Sequence, residues 1–247
     1  MKLNHKHIEK SIKFAQKSDY FDRLNKIYNT IPTGRCLGCT NCCMESVSTH
    51  FVEFLNIIHY LTNRSKLYKE ILPNVVKYYF LEMVDKTHCP FLDESGKCVI
   101  YPVRPLVCRV FGHLTKEEYE EGYKRVLSEN IGNMKMFKNQ YGIFIPEEVA
   151  YYKIDYCTDF EVCKRMTKQQ RQTMIDSIFT MESSFFMRGL ITEDFLDLGL
   201  VSWFAYIIWD KEEAGKLKIQ VMQEYVKGEN KTLSQILEKV CKDLNQF

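Results

Sequence analysis

Residues 36–43 read Cys36-Leu37-Gly38-Cys39-Thr40-Asn41-Cys42-Cys43, four thiols within eight residues. A second block follows as Cys89-Pro90-Phe91-Leu92, Cys98-Val99-Ile100-Tyr101 and Arg104-Pro105-Leu106-Val107-Cys108-Arg109. Metal sites need thiolates that converge from short, constrained segments, because close spacing lowers the entropy cost of gathering ligands. Soft sulfur donors select zinc, copper(I) and iron–sulfur clusters over magnesium and calcium. The two blocks therefore read as an irregular, cysteine-rich metal core, and the rest of the chain as helices wrapped around it.

The spacing narrows the choice of metal. A zinc ribbon shows two C-x-x-C knuckles. Cys36–Cys39 and Cys39–Cys42 have that spacing, but Cys89, Cys98 and Cys108 lie too far apart to form a second knuckle. A bacterial ferredoxin run is C-x2-C-x2-C-x3-C-P. Cys36, Cys39 and Cys42 match its first three positions, and the fourth falls on Ser46. The adjacent pair Cys42-Cys43 is expected to diverge, by about 100° in a helix and about 180° in a strand, so one unstrained ion would not take both. One four-ligand site also leaves several thiols over. Both points favour a multinuclear assembly or two sites, and an iron–sulfur cluster (4Fe-4S) over the alternative, zinc.

Composition fixes the setting. The chain has 247 residues, and its 34 basic and 32 acidic side chains leave a formal charge of +2. That balance gives no electrostatic footprint for nucleic acid. The basic N-terminus is not followed by an apolar run, so no signal peptide is expected. No stretch approaches the ~18 apolar residues of a membrane span. A cytoplasmic protein without a membrane is expected. In a reducing compartment clustered cysteines hold metal more often than they make disulfides.

Periodicity predicts a mainly α fold. An N-terminal helical segment (1–30) precedes a cysteine-cluster domain (31–165) and a C-terminal helical subdomain (166–247). Ile8, Ile12, Phe21, Leu24, Ile27 and Tyr28 recur at helical spacing over 5–31. Residues 49–63 carry Phe51, Phe54, Leu55, Ile58 and Leu61 on one side, and a further helix runs from Ser65 to about Asp85 with a break or restart at Pro73. The first cysteine block is either a helical turn or a tight loop. Pro90–Leu92 and Lys97–Tyr101 are expected to form a short hairpin about the Asp93–Gly96 turn. Thr115 opens a capping box, with a helix to about Glu129 and looser chain from Ile131 to Pro146. Four helices follow, over 169–187, 192–209, 211–227 and 232–244.

The combined pattern C-x2-C-x2-CC, C-P-F-L, C-x-I-Y and R-P-x-x-C-R-x-F resembles the CxxCC cysteine-cluster (YkgJ-type) family of zinc- or iron-chelating proteins. The matching residues are Cys36, Cys39, Cys42, Cys43, Cys89–Leu92, Cys98–Tyr101 and Arg104–Phe111, within about 34–113. Asn41 stands where a glycine is usual before the double cysteine. The resemblance implies a metal-binding cytoplasmic protein and adds Cys157 or Cys163 as a late family cysteine. One branch is associated with flagellin lysine N-methylation, which implies a protein substrate or partner. The chain shows no G-x-G-x-x-G signal for a nucleotide or S-adenosylmethionine site.

The candidate ligands are Cys36, Cys39, Cys42, Cys43, Cys89, Cys98 and Cys108, with Cys157 and Cys163 in second rank. Arg104 and Arg109 flank Cys108. Their guanidinium groups suit cluster sulfides or thiolate charge, or else a structural salt bridge. His88 and His113 are read as packed or surface side chains before ligands. Cys241 stands alone and reads as incidental. The function expected is an iron–sulfur or related thiolate–metal protein with a redox or protein-modifying role. The rivals are a structural zinc protein and a metal carrier or sensor.

Overall fold

Between Phe51 and Leu61 the apolar side chains leave no polar face wide enough to meet water. A helix of this kind is buried nearly all round. In the computed structural model, which describes residues 3–195 and 198–245, this stretch forms helix α3 (Phe51–Thr62) at the centre of the molecule. Before it lie α1 (His5–Lys17) and α2 (Tyr20–Tyr28), both of which pack on α3. Its sequel α4 (Ser65–Leu81) also rests on α3. The sequence predicts one helical segment over 5–31. It is broken at Asp19, which takes a left-handed φ of 55°.

Pro73 does not break α4, contrary to the expectation of a restart. A proline inside a helix costs about 3 kcal/mol, because it removes one N–H donor and crowds the preceding turn. Against that, α4 buries Ile71, Leu72, Val75, Val76 and the run Tyr78–Leu81. Fully burying side chains of this kind gains about 1.5–3 kcal/mol each, which outweighs the proline.

The second half of the chain covers this centre. The short helix α5 (Leu106–Val110) leads into α6 (Lys116–Tyr141) and α7 (Glu147–Ala150). Then come α8 (Lys168–Met187), α9 (Leu200–Ile208), α10 (Lys211–Tyr225) and α11 (Lys231–Asn245). α8 packs on α2 and α3, while α9, α10 and α11 pack on α4. Trp203 is the hub: it is fully buried, stacks on Phe54 with ring centroids 5.3 Å apart, and donates its indole N–H to the Thr49 carbonyl at 3.0 Å. One hydrophobic cluster draws on all three sequence segments, from Leu24 through Phe54 and Phe80 to Trp203. No helix among the described residues is long and apolar enough to cross a membrane.

Three local expectations change. α6 continues through the stretch expected to be loose and ends at Gly142, which has a φ of +66°. The Ile143 N–H then bonds the Phe137 carbonyl at 3.2 Å, closing the helix end as a left-handed glycine stop. The helix expected over 192–209 begins only at Leu200, after a 3-10 turn at Glu193–Phe195; residues 196–197 of that expectation lie outside the described residues. The hairpin about Asp93–Gly96 is reduced to a single bridge between Leu92 and Cys98. The two-stranded sheet lies elsewhere: β1 (Gly34–Arg35) pairs antiparallel with β2 (Glu161–Val162).

Candidate metal centre

The first cysteine block is a loop, not a helical turn. Gly38 (φ +72°) and Thr40 (φ +62°) both adopt left-handed backbone, which reverses the chain twice within three residues. The Cys43 N–H bonds the Thr40 carbonyl at 2.8 Å and holds Cys42 and Cys43 in a tight turn. Both residues of that turn line the same cavity, so they do not part to opposite sides as they would in a strand.

The second block is fastened to the first and to the core. The Cys89 N–H donates to the Cys43 carbonyl at 2.7 Å. Asp93 Oδ1 accepts from the backbone of Ser95 and Lys97 at 2.8 and 2.9 Å, and Val99 N–H returns to the Phe91 carbonyl at 2.9 Å. This brings Cys89 and Cys98 to one side. Cys108 is placed by α5, whose first N–H, that of Leu106, donates to Glu53 at 2.7 Å. Glu53 lies on buried α3 and also accepts from the Tyr28 hydroxyl at 2.6 Å and the His50 N–H at 3.2 Å. Burial pushes its carboxyl up from the ordinary glutamate range, and the Tyr28 and Leu106 donors pull against that shift. Sequence reasoning missed Glu53. Its signal was a lone carboxylate among Phe51, Val52, Phe54 and Leu55.

A third segment closes the site. Residues 155–159 run as a strap along it, before β2 pairs with β1 immediately ahead of Cys36. Phe160 pins the strap. Its ring fills the space that a Cβ would need at both Gly34 and Gly112, with ring atoms 2.2 and 2.3 Å from those positions. Gly34 precedes the first cysteine block and Gly112 follows the second, so one aromatic ring locks all three segments. Tyr156 adds a hydroxyl bond to the Leu114 carbonyl at 3.2 Å, and Arg165 reaches the same carbonyl at 3.0 Å.

These segments enclose a cavity of about 850 Å³. Cys36, Cys39, Cys42, Cys43, Cys89, Cys98, Cys108 and Cys157 all line it. Cys163, beyond β2, and Cys241, on α11, are exposed and are not among its lining residues. Arg104, Tyr101 and Phe111 also line the wall. Arg104 lies over the Tyr101 ring at 3.9 Å, and its Nε is buried without a hydrogen-bond partner. Arg109 is absent from the wall: it donates to the carbonyls of Arg104 and Pro102 at 2.8 and 2.7 Å and rests on the Tyr28 ring. His88 lines a neighbouring cavity of about 490 Å³ with Cys89. His113 is fully buried, with its Nδ1 accepting from the Met166 N–H at 3.3 Å.

Burial governs the thiols. It pushes the Cys89 thiol up to about 12, and it raises Cys98, Cys108 and Cys157 as well. Cys42 is raised first by its bond to Cys43 and then by burial. Cys108 is surface-accessible as a residue and lines the cavity, while burial is the largest cause of its raised thiol. The Arg104 charge works against the rise at Cys42, Cys98 and Cys108.

The donor set fits a thiophilic metal. Eight cysteines, whose sulfur is a soft donor, line the cavity together with Lys97 and Arg104, and the buried Arg104 Nε–H lacks a partner. Among the described residues no three His, Cys, Asp or Glu side chains are grouped as they must be around one ion. All ten cysteines are free thiols.

Residues 35–125 match the model of a family described as "CxxCxxCC: Putative zinc- or iron-chelating domain". No curated protein and no solved structure matches the chain. Both cysteine blocks, from Cys36 to Cys108, fall within that match, whereas the strap with Cys157 lies beyond it. Residues 35–125 are thus similar to the CxxCxxCC family, and that similarity supports a metal-binding role for this part of the chain.

Proposed function

We propose that the thiol-lined cavity holds an iron–sulfur cluster of the 4Fe-4S kind and serves a redox or protein-modifying role. The observation that carries this reading is the number of donors on one wall. Eight thiols line a cavity of about 850 Å³, twice the four that a tetrahedral zinc ion takes. A cluster of this kind supplies one-electron chemistry at a potential set by its charge, the hydrogen bonds to its sulfurs and its exposure to water.

The chain's own groups have distinct parts. The cysteines hold the metal. Arg104 offers a fixed charge and an unused N–H to sulfur, a bond strengthened by low local dielectric. Tyr101 and Phe111 cover part of the wall with rings and limit the access of water. The near-neutral net charge favours a protein substrate or partner over nucleic acid. Ten free thiols suit the reducing cytoplasm.

Anaerobic purification followed by iron and acid-labile sulfide assays, with visible and paramagnetic-resonance spectra before and after dithionite, tests this reading. Iron with matching sulfide and a reducible signal is expected. Zinc without sulfide or colour would overturn it and assign a structural or carrier role.

A further inference from the structure

We propose that a second cavity, between the end of α4 and the α6–α7 unit, binds a free α-amino acid with an apolar side chain. The site adjoins the thiol cavity, goes beyond the metal reading and does not rest on it.

The cavity has a volume of about 600 Å³, within the roughly 300–1,000 Å³ of small-molecule sites. It lies on a seam in the packing. Ile145, Val149 and Ala150 form a hydrophobic cluster apart from the main core, and Met83 and Phe137 border both clusters. Met83 and all three residues of the small cluster line the cavity, so one wall of it is apolar. Seams between separately packed units are where small ligands are commonly held.

Charge sets the class of ligand. On the α4 side the charges are matched. Glu45 pairs with Lys86 at 3.0 Å and Glu82 with Lys218 at 2.6 Å, each pair mostly shielded from solvent. On the α6 side they are not. Arg125 and Glu129 both line the cavity, and neither side chain has a hydrogen bond or ion pair among the described residues. They lie one turn apart with the basic residue first, the order that pairs less well within a helix. Residues so spaced have Cβ atoms about 6 Å apart, so two long side chains can converge on groups carried by one carbon.

A carboxylate suits the planar fork of Arg125, and an ammonium suits the Glu129 carboxylate, with the Asn130 amide beside it. A simple anion or a simple amine would satisfy one charge and leave the other alone. A zwitterion satisfies both, and an apolar side chain on it meets the wall formed by Met83, Ile145 and Val149. Glu45 and Ser46 line this cavity and the thiol cavity alike, so the bound amino acid would sit against the outer side of the thiol-cavity wall.

Calorimetric titration of the full-length chain, purified anaerobically, with L-leucine tests this. Isocaproate and isoamylamine serve as analogues that keep one charged group each. Saturable binding of leucine is expected, and each analogue should bind about tenfold more weakly or worse, because bonds to a charged group are lost. Arg125→Gln and Glu129→Gln should each weaken leucine binding by about tenfold or more. Both positions are exposed on α6, so helical circular dichroism should be unchanged. Lys124→Gln, exposed on the same helix but outside the cavity, should bind leucine normally.

No saturable binding of leucine would overturn the proposal. So would an analogue that binds as tightly as leucine, or full binding by Arg125→Gln or Glu129→Gln. The iron–sulfur reading fails separately. Protein that holds zinc without sulfide yet binds leucine would sink that reading and keep this site. Iron and sulfide without leucine binding would do the reverse.

Discussion

Around Trp203 the chain is held ring against ring. Phe51, Phe54 and Phe195 lie with centroids 5.1, 5.3 and 6.0 Å from it, and α3, α4 and α9 exclude water on every side. Around the thiol cavity the chain is held by other means. There are positive-φ turns, single hydrogen bonds to carbonyls, one pinned phenylalanine and one buried carboxylate. The body is held by apolar burial, whereas the cysteine face brings eight polarisable groups to one cavity. On the proposed reading the body positions the site, and a bound metal would add the final ordering of the loops, as binding energy that acts on folding.

The comparison can be broken at graded strengths. The largest effect is expected from Trp203→Ala, which should cost about 3–5 kcal/mol in chemical denaturation and weaken metal-loaded and metal-free protein alike. Near-normal stability would show that the body is not the scaffold. Glu53→Ala comes next, because it strands the Leu106 N–H and the Tyr28 hydroxyl. About 2–4 kcal/mol should be lost, with weakened metal retention as α5 drifts. If metal content and stability were both unaffected, Glu53 would not be the strut between the regions.

Cys89→Ser and Cys39→Ser separate the regions more sharply. Each should lower metal content and reduce stability by the binding contribution alone, while helical circular dichroism persists. Full metal occupancy in both variants would remove these thiols from the ligand set.

The pH response follows from the raised thiols. In the metal-free protein Cys89, Cys98 and Cys108 stay protonated when folded but ionise near pH 8.5 when unfolded. The folded state then binds more protons, so metal-free stability should decline as pH rises above about 8.5. Metal uptake must displace the same protons, so apparent affinity should fall by up to about tenfold per displaced proton for each unit decrease in pH. Competition titrations at pH 7 and 8 measure it, and a flat response would contradict the burial of these thiols. The smallest effect belongs to Cys241→Ser, an exposed change on α11 expected to stay within about 0.5 kcal/mol and to leave metal content alone.

The helical body was legible because its signal is periodic. Phe51, Phe54, Leu55, Ile58 and Leu61 mark α3, and the Thr115 capping box marks the start of α6. Both cysteine blocks were legible from spacing and resemblance. What was not legible depends on long-range contacts. The β1–β2 ladder joins residues more than a hundred positions apart and is only two residues long, too short for an alternation pattern to register. Phe160 gives no local sign of its role, and only the glycines at 34 and 112 hint that something approaches closely. Arg104 and Arg109 look equivalent in sequence, yet Arg104, ahead of α5, lines the cavity, while Arg109, on α5, is occupied by carbonyls. α6 runs past the expected end at Glu129 because its stop is Gly142, in left-handed backbone.

The central claim is that the thiol face is a metal centre mounted on a preformed helical body. Anomalous diffraction at the iron and zinc edges, on crystals grown without oxygen, tests it most directly. The account predicts iron peaks inside the cavity, between Cys108 and Cys157, with the helices placed as described here. Zinc alone in the cavity would overturn the iron–sulfur reading, and metal bound away from these thiols would contradict the central claim.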